Sequence, residues 1–437
     1  MRILVVGKYP PIEGGTASQT LAAVTGLARL GHEVHVLTNA DETEPSCRQI
    51  FLPDDEAILA KLGSPSGNGS VTVHKTSHLA DASYIPWAQP YLSKLLGIGT
   101  DLATERRFDL IVGWYLEPYG LAAAQIAQNA DVPLLLAHAG SDVGRLARHG
   151  DLRSAYRWAF RQADYVLTWS QLAPTVIDLG ARPESIVLVS GGRGLPDYFS
   201  EPFSPIQLEE LAPVAVECFQ AMEPPEPILE MLTSALERRP IVSDRPVIGI
   251  YGKVAKVKGS FDLLGALERL ASRGLPFTLL GAVGGQPPGL YPFVEALEST
   301  KHLRDRTVLV PFLAPWRVPQ FVDRCDAVCF LERRFSISEH APIIPMEVLK
   351  RRTALAVSAE AAHKLWFHDR LVDGENHILV PDPTDEASLA VRLERYLSDP
   401  ESLARIGECG GALASAVSDT ARSDGAAAAI DRVLATL

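Results

Sequence analysis

No uninterrupted apolar run of about 18 residues occurs in the sequence, so no stretch is long enough to cross a bilayer as a helix. The first residues, MRILVVGKYPPIEGG, are too short of apolar residues before a Gly-Pro-rich turn to be a signal-peptide core. They read as a buried strand. Cysteine is scarce: Cys47, Cys218, Cys325, Cys329 and Cys409 form an odd, scattered set, which fits reduced thiols in a cytoplasm better than a disulfide framework. Positive charge is also short. The 41 Lys and Arg face 53 Asp and Glu, giving a net charge of −12, and residues 194–237 contain nine acids with no Lys or Arg. A nucleic-acid binder would need a basic face, so that class is disfavoured. The motifs G-x-G-x-x-G, G-x-S-x-G, H-E-x-x-H and Asp-x-Asp are missing, which argues against a nicotinamide enzyme, a triad hydrolase and a metal site.

What is present is the balance of a folded protein, with 47% hydrophobic and 22% charged residues over 437 positions. At about 100–200 residues per domain, this length predicts two or three domains. The opening reads as strand, loop, helix and strand. An apolar run over residues 2–6 is followed by a loop holding Pro10, Pro11, Gly14 and Gly15; a helical stripe through Leu21, Val24, Leu27 and Ala28 ends near Gly31, before HEVHVLT. Further strands are expected at 110–114, 134–138, 165–170 and 185–190. A Gly-Pro-rich linker at 191–199 follows, then a helical insertion at about 204–226. A second alternation has strands at 247–252, 277–282, 307–313, 327–332 and 354–359, and an Ala-rich helix closes the chain. Two successive βα halves predict an α/β protein of two doubly wound domains, with ligands at the carboxyl ends of the strands in the cleft between them.

Several residues at such strand ends could carry chemistry. Gly14 and Gly15 precede a helix whose free N–H groups suit an anion, or they form only a tight turn. Lys253, Lys256 and Lys258 in GKVAKVKG form a compact cationic loop suited to a diphosphate, or a solvated surface loop. Glu339 and Glu347 flank HAPIIPM; Glu347 opens an apolar helix, where the dipole favours its ionised form, and either acid could be structural. His138 ends a strand beside Gly140-Ser141-Asp142, as a site residue or a structural one. Trp114, Tyr115, Glu117 and Tyr119 follow another strand, where aromatic side chains stack on a sugar or belong to the core.

Taken as an ordered set, these segments resemble the retaining glycosyltransferases of the GT-B fold, family 4, over nearly the whole chain. The carriers of the likeness are Gly14-Gly15 with LARLGHEVHVLT, HAGSD at 138–142, IVLVSGGRGLPDYF, the Gly-Lys-x4-Lys-Gly at 252–259, the E-x7-E of Glu339 and Glu347, and LVDGENHILVPDP at 371–383. The resemblance implies two facing Rossmann-like domains. Residues 1–195 would form the acceptor side and 196–415 the nucleotide-sugar side, with the helix at 416–437 crossing back to the N-terminal domain. It implies that Lys253 and Lys258 bind the donor diphosphate, Glu347 the donor ribose, and the N–H groups around Gly14 and Gly15 the phosphate side of the sugar. Glu339 and His138 would contact the transferred hexose. Trp114, Tyr115 and Asp142 are candidates for a small-molecule, glycan or lipid-linked acceptor. No cofactor and no metal are expected, because cationic side chains neutralise the leaving diphosphate. Two departures stand out: Lys253 replaces the usual arginine, and His340-Ala341-Pro342 replaces Gly-Phe-Gly. The alternatives are a nucleotide-sugar epimerase and a non-catalytic glycosyltransferase-like binding protein.

Overall fold

The computed structural model describes all residues except 65–68, 78–89, 190–194, 239–244, 336–341 and 419–424. The chain divides into two compact units, one of Met1–Thr43, Pro53–Gly191 and Asp424–Leu437, the other of Glu44–Leu52 and Gly192–Ser423.

The first unit holds a seven-stranded sheet. Its strands are β1 (Arg2–Gly7), β2 (Glu33–Thr38), β3 (Ser70–Lys75), β4 (Leu110–Trp114), β5 (Leu134–Ala137), β6 (Tyr165–Thr168) and β7 (Ile186–Leu188), in the order β3-β2-β1-β4-β5-β6-β7. Every pair is parallel, and Ile3 lies between Val34 and Leu110. The central strands are apolar without alternation because helices cover both faces; all five residues of β4 are buried. Helix Gly15–Arg29 follows the loop after β1. The last helix, Gly425–Leu434, packs on it: a Cβ at Gly26 would lie 2.8 Å from the Ala427 methyl, and His32 Nε2 meets Asp431 Oδ1 at 2.9 Å.

The second unit holds a six-stranded parallel sheet of β8 (Val247–Lys253), β9 (Thr278–Gly284), β10 (Thr307–Val310), β11 (Ala327–Phe330), β12 (Ala354–Ser358) and β13 (Ile378–Val380), in the order β10-β9-β8-β11-β12-β13. Helix Leu208–Ala221 occupies the region expected as an insertion, and helix Glu226–Arg238 follows it. They are built into the unit's core through Leu211, Ala215, Phe219, Ile228 and Leu232, and Ile206 N–H donates to the Gln320 carbonyl at 3.0 Å. Apolar stripes at helical spacing dictate this, since each buried Leu, Ile or Phe side chain contributes about 1.5–3 kcal/mol. The piece Glu44–Leu52 adds to the same unit, with Ile50 N–H donating to the Phe312 carbonyl at 2.7 Å.

Strand order reverses between β1 and β4 in one sheet and between β8 and β11 in the other. The loops at the carboxyl ends of these strands are where open parallel sheets receive ligands.

Candidate functional site

The first unit brings several sequence-predicted residues to its reversal point. Gly14, at φ +98°, caps helix Gly15–Arg29, and Gly15 is exposed. A Cβ at either glycine would meet nothing within 4 Å, and no side chain caps the first turn of the helix, whose leading N–H groups have no partner within the helix itself. Across the reversal point, Lys8 Nζ stands 4.6 Å from the centre of the Tyr115 ring, and the Tyr115 hydroxyl lies 3.3 Å from Ser141 Oγ. Tyr115 has φ +77°, a strained backbone for a bulky side chain and a common feature of binding loops. Trp114 is buried on β4. The neighbouring Glu117 is half-buried; burial raises its carboxyl pKa, and Tyr156 donates to it at 3.5 Å.

Asp142 and His138 take other roles than those expected of them. Asp142 is fully buried; its Oδ2 accepts from Leu116 N–H, and its Oδ1 accepts from Ala139 and Val143 N–H, each at 3.1 Å. A carboxylate with no exposed surface cannot meet an acceptor. It ties the loop after β4 to the loop after β5. His138 is 2% exposed. Its Nδ1 accepts from Gly140 N–H at 3.2 Å, so Nε2 carries the proton and donates to Thr168 Oγ1 at 2.7 Å. With both nitrogens engaged, the ring holds the Ala139-Gly140 turn and is not an open sugar contact.

In the second unit, Lys253 ends β8 as an exposed cation, in register with Gly284 of β9. The loop continues through a turn of 3-10 helix at Lys256–Lys258 to helix Ser260–Ser272. Gly259 joins them at φ +69°, and a Cβ there would lie 2.3 Å from the Leu331 carbonyl oxygen. This close approach brings Lys258 against the segment after β11. Its ammonium pairs with Glu332, which is fully buried, and lies 4.0 Å from the centre of the Phe335 ring. Lys364 Nζ reaches the other oxygen of Glu332 at 3.5 Å and Glu360 Oε1 at 2.7 Å. Arg333 is bound bidentately to Asp262 at 2.8 and 3.1 Å. The segment entering 336–341 is thereby fixed at its start. Glu339 itself lies outside the described residues.

Glu347 lies in helix Ile344–Lys350 and accepts from the Tyr251 hydroxyl at 2.7 Å. Burial pushes its carboxyl up to about 7, against the smaller opposing effect of the Tyr251 bond. The fully ionised state expected from the helix dipole is not reached at neutral pH, because desolvation outweighs a dipole effect of about 0.3–1 kcal/mol.

Glu332, Lys364, Tyr251 and Lys8 were not singled out from the sequence. Glu332 was placed inside a strand at 327–332, whereas β11 ends at Phe330, which frees the acid to face the loops. Position just beyond a buried strand is the signal that could have found it.

Two family models match the chain. The "Glycosyl transferase 4-like domain" covers residues 14–192, and "Glycosyl transferases group 1" covers residues 234–411. The chain belongs to the GT4-type glycosyltransferases. A curated member of known activity, the Alpha-D-kanosaminyltransferase of Streptomyces kanamyceticus, is 28% identical over 180 residues. That match covers 41% of this chain and 43% of the relative, less than half the length of either. Among solved structures, the sucrose-phosphate synthase of Thermosynechococcus elongatus matches with TM-score 0.62 and 16% identity, over 100% of this chain and 98% of that one. The Anabaena protein Alr3699/HepE in complex with UDP-glucose matches with TM-score 0.61 and 17% identity, over 100% of both chains. A putative UDP-N-acetylglucosamine 2-epimerase from Listeria monocytogenes matches at TM-score 0.52 and 12% identity, over 100% of this chain and 95% of that one. At these identities the likeness is one of fold, and the fold is the two-domain, Rossmann-like GT-B type. Among the described residues, no helix of this GT4-type chain is long and apolar enough to cross a membrane.

Proposed function

We propose that this GT4-type protein transfers a hexose-type sugar from a nucleotide-diphosphate sugar to a small-molecule, glycan or lipid-linked acceptor, with retention of the anomeric configuration and without a metal. The observation that carries the reading is the pair of groups at the carboxyl ends of β8 and β11: a lysine loop at 253–258 and the half-buried Glu347. Lys253 and Lys258 would hold the diphosphate, and Glu347 would accept from the ribose hydroxyls. Charge-assisted contacts of this kind contribute about 1.5–3 kcal/mol each, which supports departure of a diphosphate with no cation present.

The first unit would supply the acceptor side. The N–H groups at Gly14 and Gly15 would face phosphate, while Tyr115 offers aromatic surface near Lys8; Trp114, expected as an acceptor contact, is buried on β4 and would only support the end of that strand. His138 would act through the turn it holds, and Asp142 through the two loops it ties. Glu339, eight residues before the helix acid, would meet the sugar near the reacting carbon. The kanosaminyltransferase likeness and the UDP-glucose complex of the Anabaena protein favour a sugar nucleotide as donor. Five unpaired cysteines suit a cytoplasmic setting.

Incubation with UDP-, GDP-, ADP- and dTDP-sugars, with and without acceptors and with EDTA present, tests this reading. The expected result is acceptor-stimulated release of nucleoside diphosphate that survives the chelator. Interconversion of the donor sugar with no release would favour an epimerase. Loss of turnover in EDTA, restored by manganese, would overturn the metal-free part.

A further inference from the structure

The buried acid Glu332 has no place in the reading above, although it touches the lysine most central to it. It is fully buried, just beyond β11, and its backbone is fixed by Ser358 Oγ donating to its carbonyl at 2.5 Å. Each carboxylate oxygen faces a different lysine: Oε2 pairs with Lys258, and Oε1 lies 3.5 Å from Lys364. The Phe335 ring stands beside both, 4.0 Å from Lys258 and 5.7 Å from Lys364. Lys364 is tethered in turn by Glu360 at 2.7 Å, and Glu360 also accepts from Phe335 N–H at 3.1 Å.

We propose that Glu332 is a built-in counter-ion that competes with the donor diphosphate for Lys258, and that Lys364 keeps this carboxylate paired when Lys258 turns to the ligand. The proposal rests on the reading of Lys258 as a diphosphate contact.

The charges make the case. Two lysines and two glutamates balance while no diphosphate is bound. A fully buried carboxylate cannot be left unpaired, because its lost hydration must be replaced by an opposite charge. With Lys258 alone as partner, Glu332 would hold it against any incoming phosphate. Lys364 removes that lock. It already lies at Coulomb range of the second oxygen, and its ammonium is held there by Glu360. Once a diphosphate engages Lys258, the groups left behind carry one positive and two negative charges, a field that opposes the ligand. Glu332 therefore weakens diphosphate binding and draws Lys258 back after transfer, which favours release of the nucleoside diphosphate. Product release limits turnover in many enzymes.

The two partners should then act in opposite directions, which a merely structural cluster would not do. The test uses the full chain, titrated by calorimetry at fixed ionic strength with UDP, GDP and ADP and with the matching nucleosides. For the diphosphate that binds the wild type best, Glu332→Gln should raise affinity about three- to tenfold and strengthen product inhibition, the range of one partly shielded ion pair. Lys364→Met should lower that affinity by a similar factor, and Lys364→Arg should restore it. Nucleoside affinity should be unchanged in all three. Weaker diphosphate binding in Glu332→Gln, or equal changes for nucleoside and diphosphate, overturns the proposal while leaving the donor reading intact. If no diphosphate binds the wild type, the donor reading falls, and this inference falls with it. If Glu332→Gln does not fold, the comparison of Lys364→Met with Lys364→Arg decides alone: a selective, restorable loss for the diphosphate supports the exchange, and any other pattern rejects it.

Discussion

The hydroxyl of Tyr251, at the end of β8, donates a 2.7 Å hydrogen bond to Glu347, 96 residues further along the chain. The bond favours the ionised carboxylate, yet burial dominates and leaves the group titrating at about 7. In the unliganded protein Glu347 is thus poised between two protonation states. Only the charged one is a full acceptor for a vicinal diol.

Binding of a nucleoside should therefore strengthen as pH rises. If ribose hydroxyls donate to Glu347, the ligand selects the ionised form, so affinity should fall about tenfold per pH unit well below 7 and level off above it. A nucleoside is the right probe because it lacks phosphates that titrate in the same range. Glu347→Gln should bind weakly with no pH dependence. For stability the sign is opposite: the folded pKa lies above the unfolded value, so stability falls as pH rises from the usual carboxylate range to about 7. Urea midpoints for the wild type and Glu347→Gln across that window check this.

Gly259→Ala should destabilise the protein by about 2–5 kcal/mol, combining a left-handed backbone with overpacking. The new methyl would meet the Leu331 carbonyl oxygen at 2.3 Å and its Cβ at 2.5 Å. Any folded fraction should also bind nucleoside diphosphate less well, because Lys258 precedes the displaced turn. Chemical denaturation and a diphosphate titration measure the two effects; a loss below about 1 kcal/mol would mean that the turn rearranges freely.

Asp142→Asn should cost about 1–3 kcal/mol, since an amide nitrogen cannot accept from the buried backbone N–H groups of Leu116 or of Ala139 and Val143. Thermal or urea unfolding reads this loss. A large change in acceptor KM with unaltered stability would return Asp142 to the binding surface.

Glu339→Gln and Glu347→Gln should fail differently. The first should keep nucleoside diphosphate affinity near normal while turnover at saturating donor drops about a hundredfold, the scale of a contact made mainly in the transition state. The second should weaken donor and product together. Single-turnover assays beside diphosphate titrations separate the two; matched losses in both variants would reduce the paired acids to helix structure.

The central strands were legible because burial on both faces forces unbroken apolar runs, as in RILVVG and LIVGW. One margin of each sheet was not, although the opposite edges β7 and β10 were expected at 185–190 and 307–313. β3, SVTVHK, is a half-exposed edge strand and β13 has only three residues, so neither carries the apolar run that marked the others. Single strand-end residues such as Lys258 and Glu347 could be read from spacing and composition. Their partners could not: Glu332 lies 74 residues from Lys258, and Tyr251 stands next to a recognisable motif without belonging to it. The raised titration of Glu347 was not legible, because a helix dipole is visible in sequence and a desolvated environment is not.

The final helix has a consequence for how the protein is made. Residues 1–191 leave the ribosome as most of the first unit, but Gly425–Leu434, which packs on helix Gly15–Arg29, follows about 230 residues later. At about 5–20 residues per second, that face of the first helix stays bare for roughly ten to fifty seconds of synthesis. The nascent first unit must wait, incompletely covered, while the second is translated, and a stop codon shortly before Gly425 would damage the part of the protein that was made first.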